Sequence, residues 1–293
     1  MQPGCNKKQG KNLKKIILSC LSCACLLSAD TEIITGYGKK DYNNSKTKID
    51  GKTYFFDVSH KISDSMITLG YSKDNVNRVH PVNRTPIESL KVKKYNLKYD
   101  YSLTQSLNLK ANYIKIIDNL APTDQGKIYG LGLKYKLPKG FSTAFDYYKS
   151  DYEQFNVNQF DASLSKGFKI DRLKLKASVI AKAIKIDGDY YGNYRFKDKN
   201  YFTTGVNLSA NYNGYLASAG AFFGERMFTV MKDGQKVQHH AMEQDKTYML
   251  TLGKKFQNFD IMANYTYQNG DELPENKKDV DQKITSLILK YRF

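Results

Sequence analysis

Bond-making chemistry in a protein needs an activated nucleophile, a positioned base or a metal set. This chain of 293 residues offers few of them. Its imidazoles are His60, His80, His239 and His240, and its thiols are Cys5, Cys20, Cys23 and Cys25. Ser59 adjoins His60, but successive side chains of a strand point to opposite faces, which argues against a Ser-His pair. The His239-His240 pair has a spacing that could bind a metal or sense pH, and it falls in an expected loop. No glycine-rich phosphate loop precedes a helical pattern. The expectation is therefore no enzyme and no cofactor. What remains are charged side chains at even spacings: Lys94, Lys98 and Asp100; Lys134 and Lys136; Lys174, Lys176 and Lys182; with Asp146 and Arg226. In a strand, even spacing places them on one face. A wet face lined with cations selects solutes by charge.

The elements that would hold these residues alternate with a period of two. Phe202, Thr204, Val206, Leu208, Ala210 and Tyr212 take one face of a strand; Thr203, Gly205, Asn207, Ser209 and Asn211 take the other. Tyr95, Leu97, Tyr99 and Tyr101 alternate with Lys94, Asn96, Lys98 and Asp100 in the same way. Short turns are expected at Ser63-Asp64-Ser65, Thr104-Gln105-Ser106, Pro138-Lys139-Gly140, Lys169 to Arg172, Asn213-Gly214 and Asn258. Seven longer polar stretches lie between them, among them Lys39 to Lys52, Lys73 to Leu90 and Lys232 to Lys246. Thirteen connections imply about 14 strands, with 12–16 as the range. An all-β, antiparallel, up-and-down transmembrane barrel satisfies every backbone group without a sheet edge.

Composition agrees. Mean hydropathy is −0.58, with 23 tyrosines, 15 phenylalanines and no tryptophan. A barrel with lipid outside and water inside needs that mixture. Residues 1–29 read as a cleaved signal peptide: Lys7, Lys8, Lys11, Lys14 and Lys15 precede the apolar run Ile16 to Leu27, and Ser28-Ala29 offers a cleavage site. All four cysteines fall in this leader; acylation of Cys23 or Cys25 is a competing reading, against which Cys20 and Ser22 stand where leucine is usual. Residues 30–293 form the barrel domain. Net charge falls from +17 to +12 when the five leader lysines are removed. That charge is spread along the chain, and an exported protein rarely meets nucleic acid, so no nucleic-acid partner is expected.

The final strand places Leu287, Leu289, Tyr291 and Phe293 on its outward face. An end in phenylalanine with an aromatic two residues before it resembles the assembly signal of bacterial outer-membrane proteins. The resemblance implies the barrel assembly machinery as a partner. In architecture, residues 30–293 resemble the monomeric porins of about 14 strands in the Gram-negative outer membrane. The implied function is a water-filled channel for passive diffusion of small hydrophilic solutes, with outer-membrane lipid around a monomer. The lysines named above add an expected mild preference for anions. The alternatives are a substrate-specific transporter, including one for apolar solutes, and a structural or adhesive barrel. Fourteen strands leave a lumen unless something fills it. No segment long enough for a separate plug stands out, although long loops could fold in.

Overall fold

The computed structural model describes residues 30–293 apart from 121, 232, 233, 235 and 239. The expected signal peptide and its cysteines lie outside the described residues. Fourteen long strands form the wall: β1 (Thr31–Asn43), β2 (Lys48–Ile62), β3 (Ser65–Val79), β4 (Pro86–Ser102), β5 (Leu107–Asp118), β6 (Lys127–Lys136) and β7 (Phe141–Asp151). They continue as β8 (Asn156–Ile170), β9 (Leu173–Asp187), β10 (Asn200–Tyr212), β11 (Tyr215–Arg226), β12 (Met242–Lys255), β13 (Phe259–Glu272) and β14 (Lys277–Arg292). Each pairs antiparallel with its sequence neighbours, and β14 closes on β1 with Glu32 opposite Arg292 and Tyr37 opposite Leu287. The Phe293 amide donates to the Thr31 carbonyl at 3.0 Å and finishes the seam.

One end of the barrel carries the expected tight turns, over 63–64, 103–106, 137–140, 171–172, 213–214 and 256–258. Asn213 and Gly214 have φ of 49° and 82°, the left-handed pair that a two-residue hairpin of type I′ requires. At the other end the connections are shorter than the polar stretches suggested. Residues 39–52 were expected as a loop, but the strands run through that stretch and only 44–47 turn. A hairpin already in register continues its ladder cheaply, so polarity alone does not end a strand. The substantial connections at this end are 188–199 and 227–241, each containing a short hairpin of its own.

The extra strand length has a purpose visible in the side chains. Crossing a bilayer takes about 9–11 residues, yet β4 has 17 and β9 has 15. Near the turns, the outward positions are apolar and exposed: Leu97, Leu131, Val206, Leu208, Leu252 and Leu289. Cross-strand aromatic pairs lie higher on the outward face, as Tyr37–Tyr54, Tyr71–Tyr95, Tyr113–Tyr129, Tyr147–Phe160 and Tyr248–Tyr267. Just past them, outward charges pair in water as Lys39–Asp41, Lys149–Asp151 and Lys185–Asp187. That order is lipid band, interfacial girdle, then solvent.

Beyond the girdle the pattern inverts. On β9, Lys174 and Lys176 face in while Val179 faces out; farther up, Ile184 and Ile186 are buried inside while Lys185 and Asp187 are exposed outside. On β4, Leu90 and Val92 are buried inside and Lys91 and Lys93 stand on the other face. The spanning section is thus a membrane barrel, and the projecting section is a small water-facing barrel with an apolar core.

Candidate functional site

The lumen is built from the inward positions, so its chemistry follows from strand parity. In the spanning section nearly every strand sends polar side chains inward. Most of the charges meet a partner there. Asp74 on β3 accepts from Lys40 of β1 and lies 3.3 Å from the Lys94 Nζ on β4. Lys98 and Asp100 pair at 3.3 Å, Lys110 and Asp146 at 2.6 Å, and Lys182 and Asp161 at 2.5 Å. Near the turns Lys290 pairs with Glu32 at 2.6 Å, and Arg292 with Asp260.

Of the lysines singled out from sequence, three therefore hold carboxylates: Lys94, Lys98 and Lys182. Lys134 is inward and half-buried, and Lys136 donates to the Gln105 carbonyl at 3.0 Å by the turns. Lys174 and Lys176 make no ion pair among the described residues. They stand on the wall of a recess of about 310 Å³ at the turn-side mouth, beside Ser209, Asn211 and Ser218. The free positive field is thus narrower than a full ring of lysines would give. Arg226 lies higher, at the top of β11, and is 0% exposed. Among the described residues the imidazoles do not converge: the His60 Nδ1 lies 2.9 Å from the Thr31 Oγ1 by the turns, His80 is in the β3–β4 connection and His240 is near the end of the 227–241 connection, while His239 lies outside the described residues.

The upper lumen is filled. Segment 227–241 leaves β11, and its described residues reach across the interior. Val230 docks on the β8–β9 wall, where the Gln159 side chain accepts from its amide and donates to its carbonyl, both at 2.8 Å. The Lys182 Nζ donates to the same carbonyl at 3.1 Å. Farther along, Val237 takes a hydrogen bond from the Lys94 Nζ at 3.2 Å. Gly234, with φ of 85°, sits so close to the Asn112 side chain on β5 that a Cβ would not fit. In a ring of fourteen, β4 stands seven places from β11, so the segment spans the full width of the barrel.

The segment arrives as a hydrophobic body. Met227, Phe228 and Val230 are 0–1% exposed. Phe228 packs on Tyr152, Phe155, Tyr191 and Phe196, with centroids 4.7–6.1 Å apart. Tyr191 and Phe196 come from the 188–199 connection, so two infolded connections share one core with the inward isoleucines and valines of β3 to β9. Parity inversion along β4, β5 and β9, and the apolar run Met227 to Met231 in a connection, were the sequence signals for this filling.

No protein-family model and no curated protein matches the chain by sequence. Among solved structures, the toluene transporter TbuX of Ralstonia pickettii shares the architecture at a TM-score of 0.59 and 9% identity, over 92% of this chain and 90% of that one. A bacterial polysaccharide outer membrane secretin superposes at 0.58 and 8% identity, over 91% and 100%. The CymD monoaromatic hydrocarbon channel superposes at 0.57 and 11% identity, over 92% and 90%. The fold is the one these outer-membrane barrels share. The lipid band, aromatic girdle and inverted section fit that fold, with the tight turns at one end and the occluded section at the other.

Proposed function

We propose that this barrel is an outer-membrane diffusion channel for small hydrophilic solutes, with its outer entrance narrowed by segment 227–241. The observation that carries the reading is the polar, ion-paired inner face of the spanning section. Charges such as Lys98–Asp100 and Lys110–Asp146 beside a membrane are affordable only where water or polar solute reaches them. A barrel closed within one chain makes the monomer the proposed unit. Lys174 and Lys176 at the inner mouth give the mild anion preference, since they lack the carboxylates that neutralise Lys94, Lys98 and Lys182. No catalysis is proposed.

One observation favours a second reading. One side of the outer half of the lumen is largely apolar, with Val92, Ile116, Ile128 and Phe228 fully buried, and two of the superposing proteins are a toluene transporter and a monoaromatic hydrocarbon channel. Uptake of an apolar solute would use such a lining. Planar bilayers and liposome swelling separate the two. A hydrophilic channel gives steady ionic steps and swells liposomes in arabinose. An apolar-solute transporter gives neither, yet raises the uptake of radiolabelled toluene into cells expressing it.

A further inference from the structure

At the level of the infolded segment the inner wall has two unlike sectors. From β3 round to β9 it carries most of the apolar core, broken by the paired charges Asp74–Lys94 and Asp161–Lys182. From β11 round to β1 it is mostly polar, and its charges are paired, Lys40 with Asp74 and Glu272 with Lys48, with one exception. There the Gln268 Nε2 donates to the Gln244 Oε1 at 2.6 Å and to the Thr247 Oγ1 at 3.2 Å. The Gln282 Nε2 donates to the Tyr42 hydroxyl at 2.5 Å.

The exception is Arg226. Three cations are buried among the described residues: Lys48, Lys182 and Arg226. Lys48 holds Glu272 at 2.7 Å and Lys182 holds Asp161 at 2.5 Å. Among the described residues, Arg226 holds no carboxylate. Its Nη2 donates to the Thr247 hydroxyl, while Nε and Nη1 have no partner. The Phe222 ring centroid lies 5.7 Å from the guanidinium carbon. Asp245 attracts it from a distance, but that carboxylate is half exposed and turns to Lys246 at 3.2 Å. A guanidinium does not shed its proton in a protein, so burial without an anion is a standing cost. The cost falls at the residue where β11 ends and the infolded segment begins.

We infer that Arg226 is the anion-binding residue of a solute site at the top of the lumen, and that its ligand is a small organic monocarboxylate with an apolar body. The carboxylate pairs with the guanidinium beside the Thr247 hydroxyl. The body lies where Met227 and Phe228 now pack, facing the apolar sector. Arg226, Met227 and Phe228 are all 0% exposed, so the solute enters by displacing that pair. This rests on the reading that solutes enter the lumen, and it names their class.

The test is calorimetric titration of detergent-purified protein with benzoate and with its neutral isostere benzamide. Wild type is expected to bind benzoate at least about tenfold more tightly, the scale of one charge-assisted hydrogen bond. Arg226→Gln should bind the two alike, and Arg226→Lys should keep part of the preference; heat-modifiable gel mobility shows which variants fold. If Arg226→Gln does not fold, wild type and Arg226→Lys decide. Equal affinity for the two probes in wild type, no binding of either, a preference that persists in folded Arg226→Gln, or loss of benzoate to equimolar chloride would each overturn the inference. Bilayer conductance of the same preparations is read separately. Steady conductance without a carboxylate preference sinks this inference alone, whereas absence of conductance sinks the channel reading whatever the titration shows.

Discussion

At the residue scale, position along the strand decides what a lysine does. Lys174, Lys176 and Lys182 share the inner face of β9, and their spacing alone suggested one function for all three. Asp161 on β8 divides them. It neutralises Lys182, whose ammonium is then used to hold the Val230 carbonyl, while Lys174 and Lys176 keep their field at the mouth. The Lys174→Glu/Lys176→Glu double variant is expected to move the reversal potential under a salt gradient toward cations. The shift should shrink at 1 M salt, where screening shortens to ~3 Å. Lys182→Glu should behave differently: it sets two carboxylates together under Val230, loosens the segment and raises conductance more than it changes selectivity. Bilayer recordings of the two variants that show the same selectivity shift would remove the distinction. The pairing was not legible in the sequence, because Lys182 and Asp161 meet only through the β8–β9 register.

At the element scale, strands and turns were legible and the segment between β11 and β12 was not. Alternation and turn residues are local, so Asn213-Gly214 and the outward row Leu287, Leu289, Tyr291 could be placed without a structure. Segment 227–241 is fixed by contacts with strands far away in sequence. Gln159 is the anchor through which this can be tested. Gln159→Leu leaves the Val230 amide without its acceptor, at a cost of about 1–3 kcal/mol, and should raise open-channel conductance without changing the yield of folded barrel. A second element-scale lock joins the connections 44–47 and 273–276. Glu272, five residues past the girdle tyrosine Tyr267, accepts from Ser45, Thr47, Lys48 and the Lys46 amide. Burial alone would raise this carboxyl; Lys48 and the two hydroxyls outweigh burial and hold it down to about 2, against a usual 4.5. A group lowered on folding contributes stability above its unfolded value and loses it as pH falls through the folded one. Exchange of the Lys46 amide, corrected for intrinsic pH dependence, should therefore quicken between about pH 4.5 and 2. Glu272→Gln should show the quickened exchange already at pH 7. A flat profile in wild type would mean that this carboxylate does not hold the connection.

At the scale of the whole molecule, the barrel is two environments stacked on one set of strands. Apolar residues face out where lipid surrounds the wall and face in where water does, and the change of parity marks the interface. The spanning part of this scheme makes a quantitative prediction on β10. Leu208 is 54% exposed on the lipid face and Asn207 points into the lumen. Leu208→Arg should cost about 2–4 kcal/mol in folding from urea into lipid vesicles, and Asn207→Arg much less; equal costs would reverse the facing of the strand. The central claim is that an aqueous channel runs through the spanning section and that segment 227–241 narrows its outer end. Single-channel conductance of wild type beside a variant with residues 229–238 replaced by a short Gly-Ser turn tests it most directly. The account predicts steady steps from wild type and steps several-fold larger from the variant. A variant that folds and conducts no more than wild type would contradict the constriction, and silence from both would contradict the channel.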